Sequence, residues 1–232
     1  MDELKKIEFL KSISLCESMN DTEIKNIAEH CQIKKFTKKN IVFMEQDPGN
    51  MFYIIYSGKV KITKLNNDGN EVILSILGTG DFFGEMSLLD HNKRNANAIA
   101  LEDIEFFTIA RNEFLDVLHN NTAFTFNLLK TFAIRLRSAD IRVKSFFLDD
   151  AQQKVLMMLY DLCEKMGVAK GNGMLLEEMP NQTDLANLTG ISRETLSRII
   201  KKFEMNDIIK REGKDILIPD YKDFIERFIN EE

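Results

Sequence analysis

An α+β fold is predicted by three features of this 232-residue sequence. Short strand-like runs divided by turn residues occupy 32–110, an apolar seam spaced 3-4-3-4-3 occupies 129–146, and two short amphipathic segments meet at Gly190 ahead of a hairpin. Many short strands at regular intervals indicate a sandwich, jelly roll or barrel. The seam indicates a long helix able to pair with another. The last feature has the form of a winged helix-turn-helix. The organisation that follows is a β-roll domain of jelly-roll type with N-terminal helices over 1–120, a dimerisation helix over 121–147 and a winged helix-turn-helix domain over 148–232.

In chain order, residues 3–31 read as one or two short helices, the second capped by Asn20 or Asp21 and presenting Ile24, Ile27 and Ala28 on its apolar face. The strand runs include Ile41-Val42-Phe43, 51–56, 59–65, 71–77 and 104–109. Between them lie Asp47-Pro48-Gly49-Asn50, Ser57-Gly58, Asn66-Asn67-Asp68-Gly69-Asn70 and Gly78-Thr79-Gly80, with Asn67-Asp68-Gly69 a strong hairpin turn. From Arg111 the pattern is helical. The seam consists of Leu129, Phe132, Leu136, Ala139, Val143 and Phe146, with Arg135, Arg137, Asp140, Arg142 and Lys144 off it. Leu148-Asp149-Asp150 breaks the run, which places a hinge there, and a new helix starts at Ala151 with Val155, Leu156, Leu159 and Leu162. Residues 167–173 read as a loop, 208–218 as a hairpin turning near Gly213, and 221–228 as a last short helix.

The segment 182–200 carries the most specific chemistry. Leu185, Ala186 and Leu188 line the inner face of a helix that stops at Gly190, where a left-handed backbone is needed. Ser192 caps the next helix, with Thr195 three residues on in place of the Glu of a full capping box. That helix buries Leu196, Ile199, Ile200 and Phe203 and turns Arg193, Glu194, Ser197 and Arg198 outward. In a helix-turn-helix such a helix offers its first residues to base edges in the major groove of double-stranded DNA. Arg pairs bidentately with guanine, Glu accepts from the cytosine amino group, and Ser bonds to either. Thr183 and Lys201 complete the candidate DNA-contacting set. An ordinary amphipathic helix pair has no need of a small Ala186, a turn Gly190 and a cap Ser192 at these positions. One such motif reads only a half-site, which favours a parallel homodimer through the 129–146 seam; packing of the seam on the chain's own β domain is the alternative.

The net charge of −6 argues against non-specific nucleic-acid binding, yet Arg193, Arg198, Lys201, Lys202, Lys210, Arg211 and Lys214 cluster on and after the reading helix. Phosphates meet that local field rather than the net charge. No apolar run approaches the roughly 20 residues that cross a bilayer, and Met1-Asp2-Glu3-Leu4-Lys5-Lys6 lacks the apolar stretch of a signal peptide. The expected location is the cytoplasm, without a membrane partner. Cys16, Cys31 and Cys163 show no C-x-x-C spacing, and a four-thiolate iron–sulfur cluster needs one more ligand than they supply. With His30, His91 and His119 far apart, no metal site is expected. No nucleophile–base pairing or nucleotide loop supports catalysis, so the chain is not expected to be an enzyme.

A second site is written in Gly80-Asp81-Phe82-Phe83-Gly84-Glu85-Met86-Ser87-Leu88-Leu89 followed by Arg94-Asn95-Ala96-Asn97-Ala98. A Gly leading into a short helical turn exposes backbone N–H groups able to hold a phosphate. Arg94 can pair with that phosphate in fork geometry, Glu85 can accept from a sugar hydroxyl, and small Ala96 and Ala98 leave room for a ligand against the strands. Glu85 and Arg94 could equally pair with each other as a buried structural ion pair.

A β-roll with G-E…R-x-A, a long dimer helix, a hinge at Phe147-Leu148-Asp149 and a winged helix with S-R-E-T-x-x-R together resemble the Crp/Fnr family of bacterial transcription regulators over nearly the whole chain. The resemblance implies a homodimer with an effector-sensing domain of the cyclic-nucleotide-binding type, a near-palindromic DNA site, and control of transcription initiation with RNA polymerase as a further partner. It assigns Gly84 to the effector through its backbone N–H, Glu85 to a ribose and Arg94 to a cyclic phosphate, with Met86 and Asn95 beside them. Two departures stand out: Asn95 occupies a position where the family's cyclic AMP receptors have Ser or Thr, and Ala139-Asp140 replace the Thr-Ser pair that touches adenine. Cyclic AMP, another small anionic or nucleotide effector, and no effector at all stay open on this reading. Arg193, Glu194 and Arg198 match the base-contacting set of the catabolite-activator branch, which implies TGTGA-like half-sites. Ser197-Arg198 also fits the E-x-x-S-R pattern of the fumarate–nitrate branch and its TTGA-like half-sites; the first is preferred. A cyclic-nucleotide-binding subunit of a kinase or channel would carry the same cassette but not the winged helix at 182–218.

Overall fold

The computed structural model describes residues 3–65, 69, 71–148 and 150–228, with side chains described for all of these but 141, 142, 144–148 and 228. The turn at Asn67-Asp68-Gly69 (Gly69 apart), the side chain of Phe146 and the side chains of the Phe147-Leu148-Asp149 hinge therefore lie outside the described residues. The chain forms two compact units, 1–69 with 74–138, and 70–73 with 139–232.

The first unit opens with α1 (Glu3–Ser12) and α2 (Asp21–His30). Asn20 is the cap of α2: its Oδ1 accepts from Glu23 N at 3.0 Å, and Glu23 Oε2 accepts from Asn20 N at 2.8 Å, a reciprocal capping box. There follow β1 (Gln32–Phe36), β2 (Ile41–Phe43), β3 (Met51–Ser57), β4 (Val60–Leu65), β5 (Glu71–Leu77), β6 (Phe82–Phe83), the one-turn helix α3 (Met86–Leu89), β7 (Asn97–Ala100), β8 (Ile104–Ala110), α4 (Arg111–Asn120) and α5 (Thr122–Leu148). The strands form two four-stranded sheets, β1-β8-β3-β6 and β2-β7-β4-β5. The strand runs evident in the sequence do not include β1, β6 and β7. β1 is a lysine-bearing edge strand, as edges often are, β6 has two residues, and β7 is built on alanines of low strand propensity.

The β3–β8 ribbon is covered on both faces. Tyr53, Ile55, Ile104 and Phe106 meet Val60, Ala98 and Ala100 of the second sheet. Phe52, Ile54, Phe107 and Ile109, one residue out of phase, pack beneath Leu10, Ile27, Phe114, Phe124 and Leu128 of the helices. Strands buried on both faces read as unbroken apolar runs, as 51–56 does. Asn127 Nδ2 on α5 donates to Leu15 O at 3.1 Å and Glu17 O at 2.8 Å, tying the helix to the turn after α1.

One residue of the expected dimer seam faces elsewhere. Phe132 continues the i, i+4 series Phe124, Leu128, Phe132 and packs on its own chain's core, because the β domain claims that side of the helix. Leu129, Leu136, Ala139 and Val143 are exposed as a seam requires. The exposed apolar stripe runs through Phe126 (67% exposed), Leu129, Ala133 and Leu136 (66% exposed), spaced 3-4-3, with Val143 a heptad beyond.

In the second unit Asp150 caps α6 (Ala151–Met166), its Oδ1 accepting from Gln153 N at 2.8 Å. Then come β9 (Val168–Lys170), β10 (Gly173–Leu176), α7 (Gln182–Thr189), α8 (Arg193–Met205), β11 (Lys210–Glu212), β12 (Asp215–Ile218) and α9 (Tyr221–Phe228). The expected loop at 167–173 is in part a strand pair, β9 against β10, turning at Gly171 with φ +62°. The three residues of β9 are all exposed, so they carry no alternation to read. The hairpin of β11 and β12 turns at Gly213 and joins β10 and β9 in one sheet, β11-β12-β10-β9. Leu156, Leu159, Leu185, Leu196, Ile200, Phe203 and Ile216 form the shared core. Gly190 ends α7 at φ +69°, ψ +23°, a left-handed cap. Gly190→Ala should therefore destabilise the second unit by about 1–2 kcal/mol, read as a lowered urea midpoint; an unchanged midpoint would contradict the role given to that backbone conformation.

Candidate functional site

The cassette lies in the first unit. Arg94 is held by its backbone first: Gln46 N donates to Arg94 O and Arg94 N donates to Asp47 O, both at 2.9 Å. Its side chain is 3% exposed. Nη1 donates to Gly84 O at 2.6 Å and Ser87 Oγ at 2.9 Å, and Nη2 donates to Met51 O at 2.7 Å. The guanidinium stacks 4.3 Å from the Phe43 ring centroid. Gly84 takes φ +84°, and a Cβ there would lie 2.7 Å from Arg94 Nη1, so two independent constraints require glycine. Nε is buried without a partner, and no carboxylate among the described residues forms an ion pair with Arg94. Burial lowers the guanidinium pKa from its ordinary value, with Tyr53, Glu85 and Asp47 opposing that shift.

The Glu85–Arg94 pair left open by the sequence does not form. Glu85 Oε1 accepts instead from Arg135 Nη1 of α5 at 3.2 Å, while Arg135 Nη2 donates to Phe82 O at 2.6 Å and its guanidinium lies 4.4 Å from the Phe82 ring centroid. Glu85 is buried; that burial pushes its carboxyl above the ordinary range, and Arg135 and then Arg94 pull it back. Met86, the first residue of α3, is half exposed, and Asn95 is exposed with its Oδ1 accepting from Lys64 Nζ at 3.2 Å. Gly84, Glu85, Arg94 and Asn95 thus share one corner of the β-roll. Ala139 and Asp140 are exposed residues of α5 in the second unit. Sequence reasoning missed Ser87, Phe43, Lys64 and Arg135. Arg135 was findable: it extends the polar i, i+4 series Asn127, Thr131, Arg135 along the side of α5 that faces the β-roll.

In the second unit Ser192 Oγ accepts from Thr195 N at 3.1 Å and donates to Thr195 Oγ1 at 2.9 Å, starting α8 one residue before Arg193. Arg193, Ser197 and Lys201 form one i, i+4 row on α8 and Glu194 and Arg198 the next; all five are exposed, as is Thr183 in the first turn of α7. None of the five makes a side-chain hydrogen bond or ion pair among the described residues. Other members of the basic cluster are engaged: Lys202 Nζ donates to Gln152 Oε1 at 2.7 Å, Arg211 pairs with Glu204 at 3.4 Å and Lys214 with Glu178 at 2.6 Å. Arg193, Arg198 and Lys201 on the exposed face of α8, with Lys210 at the start of β11, are held out to solvent.

Residues 33–121 match the cyclic nucleotide-binding domain and residues 153–226 the Crp-like helix-turn-helix domain. The cyclic AMP receptor protein of Thermus thermophilus is 30% identical over 201 residues, covering 87% of this chain and 90% of its own. The chain belongs to the Crp/Fnr family of transcription regulators. A CRP-like cAMP-activated global transcriptional regulator of Mycobacterium tuberculosis is 29% identical over 92% of this chain and 95% of its own. Among solved structures, the Thermus thermophilus catabolite activator protein aligns with a TM-score of 0.54 at 28% identity, over 92% of this chain and 97% of that one. FixK2 from Bradyrhizobium japonicum aligns with a TM-score of 0.75 at 20% identity over 84% of this chain and 96% of its own, a likeness of fold. The protein is a DNA-binding transcription regulator, and its relatives are regulators rather than enzymes. No helix among the described residues is long and apolar enough to cross a membrane.

With its pKa raised in the folded chain, Glu85 contributes stability that is full below the ordinary carboxylate value and lost as pH rises through the raised one. The urea midpoint of the wild type should accordingly fall, relative to Glu85→Gln, as pH is raised out of the ordinary carboxylate range. A pH-independent difference between the two would show that the carboxyl of Glu85 is not raised above its ordinary range.

Proposed function

We propose that this regulator is a homodimer that reads a near-palindromic DNA site through α8 under the control of an anionic effector at Arg94, acting in the cytoplasm with RNA polymerase as a further partner. The observation that carries the reading is the set Arg193, Glu194, Ser197, Arg198 and Lys201, exposed on one helix face and unpaired among the described residues. Arg193 and Arg198 suit guanine, Glu194 a cytosine amino group, and Ser197 with Thr183 and Lys201 the flanking polar positions, which favours TGTGA-like half-sites. Dimerisation is supported by the exposed stripe Phe126, Leu129, Ala133, Leu136 and Val143, an apolar seam left open among the described residues. Two reading helices so joined would lie about 34 Å apart, one turn of DNA.

The effector site is supported by a buried cation that has no ion-pair partner among the described residues and retains an unused Nε donor. A buried charge of this kind is normally paired, so an anion suits it, and a nucleotide phosphate is the anion that the cassette's relatives bind by name. Asn95, Ala139 and Asp140 supply none of the hydroxyls found in cyclic AMP receptors. An effector that binds one dimer state better shifts the population by that difference alone. A second reading, a regulator that binds DNA without a cyclic nucleotide, is favoured by the closure of Nη1 and Nη2 on Gly84, Ser87 and Met51.

Gel-shift titration on a TGTGA-type palindrome should show Arg198→Ala losing about 1–3 kcal/mol of specific affinity; unchanged binding would remove Arg198 from the reading set. In sedimentation, Leu136→Glu should shift the protein from dimer to monomer, and a persistent dimer would place the interface elsewhere.

A further inference from the structure

At the open edge of the β-roll, bonded to Asn95 beside Arg94 in the chain, lies an ion pair between Lys64 and Glu45. Lys64 shares the face of β4 that carries Val60 and Ile62 into the core between the sheets. The register Val60↔Ala100, Ile62↔Ala98, extended by one step, sets Lys64 across from Ala96. On the other flank of β7, Phe43 pairs with Ala98, and Glu45, two residues on, donates from its backbone N to Asn97 Oδ1 at 2.8 Å. Over the small Ala96, Lys64 Nζ and Glu45 Oε1 meet at 3.0 Å, and the same Nζ donates to Asn95 Oδ1 at 3.2 Å. The floor that Ala96 and Ala98 were expected to leave clear for a ligand is therefore bridged, at its Arg94 end, by a cation and an anion.

We propose that Lys64 is a second anion-binding group of this cassette and that the effector is a nucleotide carrying at least two phosphates, one taken by Arg94 and the next by Lys64 as it leaves Glu45. The proposal rests on the reading that Arg94 holds an anion. Two observations and one chemical argument support it. The Lys64–Glu45 pair has side chains 37% and 29% exposed, and an ion pair so open to water is weak. A phosphate offers Lys64 more charge and more acceptor oxygens than a carboxylate does, so the exchange favours the ligand. Asn95 also acquires a purpose: where a hydroxyl would donate to a single phosphate, its amide oxygen accepts from the Lys64 ammonium, one residue along the chain from Arg94. A cyclic mononucleotide, with one charge matched by Arg94, leaves Lys64 on Glu45.

The test is calorimetric titration of the full chain with AMP and with ADP, which differ by one phosphate, in the wild type, Lys64→Met, Glu45→Gln and Arg94→Ala, with thermal midpoints recorded to show that each variant is folded. ADP is expected to bind the wild type about tenfold more tightly than AMP, equivalent to about 1.4 kcal/mol. Lys64→Met should erase that gain, so that ADP binds no more tightly than AMP, and Glu45→Gln should enlarge it, since the competing carboxylate is gone. Equal affinities for AMP and ADP, or a gain that survives in Lys64→Met, would overturn the role of Lys64 and leave the Arg94 site standing. Failure of both nucleotides to bind the wild type, or binding indifferent to Arg94→Ala, would overturn the anion site itself and this proposal with it.

Discussion

The double burial of the β3–β8 ribbon is the constraint on which the first unit depends. A strand pair buried on both faces must satisfy two sets of neighbours one residue out of phase. Tyr53 and Phe106 answer to the facing sheet, and Phe52 and Phe107 to the helices. The first set carries Tyr53 and Met51 to the wall of the cassette, so that Met51 O is in place to accept from Arg94. The second set seats Phe124 and Leu128, which settles the rotation of α5 about its own axis. The cassette and the exposed apolar stripe are thus two consequences of a single ribbon, reached through its two faces.

Charge in the cassette is managed by this geometry. Arg94 and Glu85 are both buried, yet each is answered by something other than its partner in the motif: Arg94 by carbonyl oxygens, a hydroxyl and a phenylalanine ring, Glu85 by Arg135 of α5. Carbonyls offer a guanidinium partial charges without neutralising it, which keeps the site attractive to an anion. The Glu85–Arg135 contact joins the cassette to the very helix whose outer face bears the apolar stripe. An anion arriving at Arg94 would enter an electrostatic group that already includes α5, the kind of differential contact a population shift requires.

The winged helix solves a different problem with local means. Gly190 and Ser192 set the end of α7 and the start of α8 by backbone conformation and one cap bond, so the phase of the reading helix is decided within three residues. Once that phase is set, burying Leu196, Ile200 and Phe203 leaves Arg193, Glu194, Ser197 and Arg198 outside. Lys202, Arg211 and Lys214 carry the same charge but find neighbours, a distinction that composition cannot make because it depends on which carboxylate or amide folds next to each.

By itself the sequence determined what is local or periodic: a helix cap at Asn20 or Asp21, the strand runs rich in aromatic and branched residues, and the turn glycine and cap serine of the helix-turn-helix. Each rests on an interaction spanning a few residues or on a repeat of two or of three to four, which the chain carries in its order. Tertiary structure alone decided that Phe132 turns inward while Phe126 stays out, because a 3-4 spacing on a helix fits more than one stripe and the β domain chooses between them. It also decided that Glu85 meets Arg135, fifty residues on, instead of Arg94, and that Lys64 of β4 meets Glu45 of the turn after β2. These are pairings between distant segments, and their partners become neighbours through register and packing that no run of adjacent residues encodes.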